Sequence, residues 1–151
     1  LKDLQLDKLI GNIPTVSYSV GQLDKLIHQQ LNETLLEVGV SLPQFTMLSN
    51  LHLRGEMANA KLASHSFISP QASNQIIKIM EEKGWVSKCD DPNHGRIILI
   101  GLTKEGRDIY EQCMIKAFSF EQQMLDGIPV ENVLMLKATV QRLIANLKNN
   151  S

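Results

Sequence analysis

The chain has 151 residues, 43% of them hydrophobic, and a formal net charge of −1 at pH 7. That length fits one domain with a substantial core, and the near-zero charge argues against a general nucleic-acid coat. No stretch approaches the roughly 18 consecutive apolar residues of a membrane helix, and no signal peptide is visible, so a cytoplasmic protein without a membrane partner is expected.

Leu1 to Ile10 carries a short helical pattern that Gly11-Asn12-Ile13-Pro14 ends. QLDKLI occurs at residues 5 to 10 and again at 22 to 27, but the similarity stops there. Repeat proteins sustain periods of about 20 to 50 residues over several units, so two amphipathic helices share a hexamer by coincidence. From Ser17 to Val38, the residues Val20, Leu23, Ile27, Leu31, Leu35 and Val38 fall at three- and four-residue steps, the pattern of a long amphipathic helix. Ser41-Leu42-Pro43-Gln44 is a capping box and opens a helix carrying Phe45, Leu48 and Leu51 on one side.

Between Leu62 and Gly106 the chain spells helix, turn, helix and hairpin in order. NAKLASHSF places Leu62 and Ala63 on the inner face of a short helix, and Ile68-Ser69-Pro70 breaks it. Ser69 caps the next helix and Pro70, with preset φ and no N–H to leave unpaired, starts it. Within that helix Ile76, Ile77 and Met80 recur on one side, leaving Gln71, Ala72, Asn74, Gln75 and Lys78 on the other. This outer face is rich in amides and free of acids. Asn and Gln pair bidentately with adenine in the major groove, whereas an ordinary solvated face mixes Glu with Lys.

Gly84 then stops the helix, and two strands are expected, Trp85 to Cys89 and Arg96 to Leu102. Between them Asp90-Asp91-Pro92-Asn93-His94-Gly95 reads as a loop of turn formers. Leu102-Thr103-Lys104-Glu105-Gly106-Arg107 closes this wing, with Thr103 as N-cap of a long helix through Tyr110 and Met114 towards Asp126. After Pro129 a last stripe comprises Val133, Leu136, Val140, Leu143, Ile144 and Leu147. Two apolar-striped terminal helices invite a second protomer; packing on their own chain is the alternative.

Charge follows this division. From Arg54 to Arg107 eight Lys/Arg face six Asp/Glu, and the remainder carries seven against ten. Positive charge is therefore mildly concentrated in the helix-turn-helix region, and nonspecific affinity for DNA should be modest and salt-dependent.

The ordered pieces LA at 62, SP at 69, EEKGWV at 81, DPNHGR at 91 and LTKEG at 102 resemble the MarR family of winged-helix transcriptional regulators, from about Ser41 to Arg107. The resemblance implies a mainly α fold with a small β-wing. A single domain over 1–151 is expected, with a winged helix-turn-helix lobe at about 41–107 and dimerisation helices at about 1–40 and 108–151. It also implies a homodimer on double-stranded DNA, repressing by default and released by a small aromatic or phenolic effector. On this reading Gln71, Asn74 and Gln75 read bases. His65, Ser69, Lys78 and Lys88 hold phosphates, and Arg96 enters the minor groove. Effector candidates, read as combining an apolar body with a polar handle, are Tyr18, His28, Met47, Asn50, Tyr110 and Met114. Arg54, with His52, offers a donor to a carboxylate; Arg54 equally suits a DNA phosphate.

The departures from the family pattern are specific. Where the family usually reads DPxDRR, this chain reads DPNHGR: His94 replaces the acid that buttresses the arginines, and Gly95 replaces the first of them. Phe67 stands at a position of the inter-helix turn that is often glycine, Ser73 at one usually aliphatic, and Ala58 where a Ser or Thr cap is common, leaving Asn59 to share the capping.

Other classes fit less well. A thiol-based redox regulator needs an accessible cysteine of low pKa, and Cys89 in the wing and Cys113 in a helix are the two available. His28, His52, His65 and His94 are too scattered for a metal site, and no cofactor is expected. No nucleophile elbow, phosphate loop or carboxylate pair suggests an enzyme, so no catalytic residue is assigned. A winged helix serving as a protein-interaction module is the remaining rival, but it requires neither an acid-free helix face nor a wing arginine.

Overall fold

The computed structural model describes residues 15–149. The helical pattern at Leu1 to Ile10, and the turn after it, lie outside the described residues. Two compact units are divided between Ala117 and Phe118.

In the first unit, helix α1 (Val16–Leu36) begins one residue before the expected Ser17, because the Thr15 hydroxyl accepts from the Tyr18 N–H and caps it. It stops two residues before Val38, where the chain turns through Gly39 at φ 74° and drops Val40 into the core. Helix α2 (Leu42–Arg54) opens with both halves of the capping box, and its first N–H donates to Asn32 Oδ1 of α1 at 2.9 Å. Strand β1 (Met57–Ala58), α3 (Asn59–His65), α4 (Pro70–Glu82), β2 (Val86–Asp91), β3 (His94–Leu102) and α5 (Lys104–Met124) follow. The architecture is the expected winged helix: mainly α with a small antiparallel sheet, ordered β1-β3-β2.

Two features of the sheet differ from expectation. Strand β1 was not anticipated, since two residues carry no alternation; Met57 and Ala58 gain it only by pairing with Ile100 and Leu99. The wing loop is also shorter than the six-residue reading, because the strands run on into it and only Pro92 and Asn93 separate β2 from β3. Asp91 holds that turn, its Oδ1 accepting from the Asn93 N–H at 2.8 Å.

One hydrophobic core unites the unit. Leu48 and Leu51 of α2, Leu62 of α3, Ile77 and Met80 of α4, Val86 of β2 and Ile100 of β3 are all buried in it. It reaches beyond 41–107 on both sides, drawing in Leu35 and Val40 before the lobe and Tyr110 and Cys113 after it. Each fully buried aliphatic side chain is worth about 1.5–3 kcal/mol of transfer free energy. Gly106 permits the tightest approach: a Cβ there would overlap the Trp85 carbonyl.

The second unit holds the end of α5, a turn with Gly127 at φ 73°, and helix α6 (Val130–Lys148). Pro129 precedes α6 as the sequence indicates, but no residue of α6 is buried. Val140, Leu143 and Ile144 remain exposed along it.

Candidate DNA-binding interface

The interface is built on α4. The Ser69 hydroxyl accepts from the Ala72 N–H at 3.2 Å, and Pro70 occupies the first turn, so the helix begins where the sequence places it. Ile77 and Met80 face the core and Ile76 is half-buried beside them. Gln71, Asn74, Gln75 and Lys78 are all exposed and, among the described residues, none has its side chain engaged in a hydrogen bond or ion pair. Four uncommitted polar side chains on one helix face are ready to pair with a partner. The N-terminus of α4 adds the positive end of its dipole close to Ser69.

Ser73 lies on the inner face, fully buried, and its hydroxyl has no hydrogen-bond partner. Asn59 does not cap α3, contrary to expectation: that end has no side-chain cap, and the Asn59 amide instead donates to the Pro70 carbonyl at 3.2 Å. It therefore clamps the first turn of α4 onto α3. Asn50 provides a second bracket, donating to the His65 carbonyl and the Ser66 hydroxyl at 3.3 Å each. Sequence reasoning missed both brackets, because an Asn that bridges two helices has no spacing signature.

On the wing, Cα pairing jumps from Asp90↔Ile98 to Asp91↔His94, which leaves Gly95, Arg96 and Ile97 without partners across the strand. Such an irregularity bends the strand and re-aims its side chains. Arg96 sits within it, exposed and with no protein partner among the described residues. His94 Nδ1 leans towards Asp91 Oδ2 at 3.9 Å, so it does not orient Arg96. Lys88 is differently placed from expectation: its ammonium is paired with Glu81 at 2.7 Å. It reaches a phosphate only by giving up that pair. His65 is half-buried at the end of α3.

The effector candidates do not assemble as one set. Met47 is wholly inside the core, and Tyr18 and His28 are exposed on α1, the latter against Asp24 at 3.2 Å. Around Tyr110 there is a cluster: His52 stacks on it at 4.3 Å between ring centroids and Phe45 at 6.1 Å. Arg54, two residues after His52, lies on the other side of α2, its Nε donating to Asn50 Oδ1 at 3.3 Å. Met114 is exposed one turn beyond Tyr110.

Neither thiol is activated. Partial desolvation, with the Glu56 carboxylate next in weight, raises the Cys89 pKa above its ordinary value. Its Sγ points at Glu56 Oε2 from 3.6 Å. Burial pushes Cys113 up to about 11. Among the described residues there is no cluster of metal-ligating side chains, and no helix is long and apolar enough to cross a membrane.

The MarR family model matches residues 40–98, which takes in α2 through most of the wing. The HTH-type transcriptional regulator YwoH of Bacillus subtilis is 30% identical over 108 residues, 72% of this chain and 78% of YwoH. The chain belongs to the MarR family. As a MarR-family member it is a DNA-binding transcriptional regulator. It also resembles the HTH-type transcriptional repressor Rv2887 of Mycobacterium tuberculosis, at 27% identity over 85% of this chain and 92% of Rv2887. Wild-type MarR of E. coli in its apo form has the same fold, with a TM-score of 0.79 at 21% identity over 87% of this chain and 98% of that one. So do a mutant E. coli MarR complexed with operator DNA, at TM-score 0.71 with 23% identity over 83% and 93% of the two chains, and Rv2887 complexed with salicylic acid, at 0.72 with 22% identity over 88% and 98%.

Proposed function

We propose that this MarR-family regulator is a homodimeric repressor that binds a pseudo-palindromic operator and is released by a small aromatic acid. The observation that carries the reading is the acid-free, uncommitted face of α4. Gln71, Asn74 and Gln75 stand exposed behind a capped N-terminus, with Arg96 projecting from the irregular strand of the wing. In the proposed complex these amides read base edges in the major groove. Ser69, His65 and Lys78 hold phosphates, Lys88 joins them on release from Glu81, and Arg96 enters the adjacent minor groove.

Two protomers joined through the terminal helices would set two copies of α4 about one helical turn of DNA apart. The exposed stripe of α6 and the exposed Val16, Val20 and Leu23 of α1 supply apolar surface for that association. On this reading the whole chain, 1–151, works as one intertwined protomer. The complex of E. coli MarR with operator DNA supports the DNA-bound arrangement, and the repressor name of Rv2887 supports repression.

Rv2887 has been crystallised with salicylic acid, which suggests the chemical class of the effector. The aromatic stack of His52 on Tyr110 offers ring contact, while Arg54, on the other side of α2, would suit a DNA phosphate. Met114, one turn beyond Tyr110, would border that surface, while Met47 in the core, Asn50 against α3, and Tyr18 and His28 on α1 would take no part in it.

Selection of genomic fragments by the purified protein at near-physiological salt, followed by footprinting, tests the reading. A palindrome with half-sites one turn apart is expected, and salicylate should displace the protein from it. Enrichment of nothing above background would refute it.

A further inference from the structure

Phe67 combines two features that rarely coincide. Five described residues have positive φ; four are glycines, at 39, 55, 84 and 127, and the fifth is Phe67 at 55°. A side chain in the left-handed region costs roughly 1–2 kcal/mol relative to glycine. The aromatic ring offsets none of this by burial, because Phe67 is 94% exposed. A single exposed apolar residue is ordinary and needs no explanation. The strained backbone at Phe67 is therefore a cost with no burial to offset it, and strain of this kind collects where a partner is bound.

Its position indicates the partner. The chain at the turn alternates: Ser66 is buried, Phe67 exposed, Ile68 half-buried and Ser69 exposed. Phe67 and Ser69, the cap of α4, are thus both open to solvent, two residues apart. Two residues of chain span at most about 7 Å, so Phe67 lies within that reach of Ser69, well inside the roughly 12 Å width of a major groove. Short brackets fix the turn in place, with the Phe67 N–H donating to the Ser64 carbonyl at 3.3 Å and the Ile68 N–H to the Ala63 carbonyl at 3.1 Å. The backbone that carries the ring is therefore fixed, four residues before Gln71.

We propose that Phe67 is a base-specificity residue: its ring packs against the C5-methyl of a thymine at the edge of each half-site. Apolar side chains recognise that methyl, the one apolar feature of the major-groove edge. The inference rests on the DNA-binding reading above and adds an apolar contact that Gln71, Asn74 and Gln75 cannot make.

Phe67→Gly and Phe67→Asn, two residues that accept positive φ, separate function from folding. Both variants should melt at or above the wild-type temperature. Both should bind the selected operator about 5- to 20-fold more weakly, while affinity for random DNA stays within twofold. Replacing thymines one at a time by deoxyuridine, which removes only the methyl, should weaken the wild type several-fold at one position per half-site and leave both variants unaffected there. Unchanged operator affinity in stable variants would overturn the proposal, as would a uridine scan identical for wild type and variants. Failure of the wild type to select any sequence would refute the DNA-binding reading itself, an outcome distinct from both.

Discussion

The hydroxyl of Thr103 donates to the Gly84 carbonyl at 2.6 Å and at the same time accepts from the Gly106 N–H at 2.9 Å. One side chain thus caps α5 and fastens it to the end of α4. The Trp85 carbonyl, which accepts from the Thr103 N–H at 3.1 Å, completes the junction, and only a glycine at 106 leaves room for it. Thr103→Val keeps the shape and removes both hydrogen bonds. It should destabilise the protein by about 1–3 kcal/mol, the sum expected for a lost cap and a carbonyl left poorly satisfied. Urea unfolding followed by Trp85 fluorescence measures this, and an unchanged midpoint would show that the junction contributes nothing.

Much of this lobe was legible in the sequence because its signals are local. Ser41 with Gln44, Ser69 with Pro70, Gly84, and Thr103 each mark a helix boundary through backbone chemistry that operates within four residues. What escaped is nonlocal. Strand β1 exists only because Ile100 and Leu99 lie beside Met57 and Ala58. Position suggests that Asn59 shares a cap, but its amide finds the Pro70 carbonyl eleven residues away. The sequence leaves the Lys88 ammonium free for phosphate, yet the hairpin brings it to Glu81 on the preceding helix. The outward amides were legible because 3.6-residue periodicity places them, whereas the effector candidates, drawn from three elements, scattered into core, surface and one aromatic stack.

Arg96→Ala tests the wing. With no acid orienting the guanidinium, Arg96 acts through its charge and reach from the irregular strand. Operator affinity should fall by about 10-fold, and the slope of log K against log salt should decrease in magnitude by roughly one, while base preference within the major-groove half-sites is retained. Fluorescence anisotropy across a salt series measures both quantities. A variant with wild-type affinity and slope would remove the wing from the interface.

The thiols yield a pH prediction. Cys113 has a folded-state pKa raised from 9.0 to about 11 by burial. Its neutral form is favoured on folding, so its contribution is fully present below pH 9 and is lost as pH rises through the folded value. Wild-type stability in urea should therefore decline between pH 9 and 11 more steeply than that of Cys113→Ala. Cys89, raised by desolvation and by Glu56, should alkylate more slowly at neutral pH than an unhindered thiol despite its exposure. Site-resolved mass spectrometry after iodoacetamide treatment reads this. Faster modification of Cys89 would reopen a redox-sensing role.

The α6 stripe predicts the oligomeric state. Val140, Leu143 and Ile144 are exposed within the chain, and a second protomer would bury them at about 25 cal/mol per Å² of apolar surface. Val140→Asp combined with Leu143→Asp should convert a dimer to a monomer in light scattering at micromolar concentration and lower operator affinity by at least 100-fold. A wild-type monomer that binds its operator with full affinity would contradict the dimeric arrangement.

The most direct test of the central claim, that the exposed amides of α4 read bases, is to compare the sequences selected from a random library by the wild type and by Asn74→Ala. Asn74 is exposed and its side chain holds no other described group, so the substitution leaves the fold intact. The account predicts that preference collapses at one position in each half-site, with a loss of about 1–3 kcal/mol there and the other positions unchanged. An identical sequence profile, bound with wild-type affinity, would contradict it.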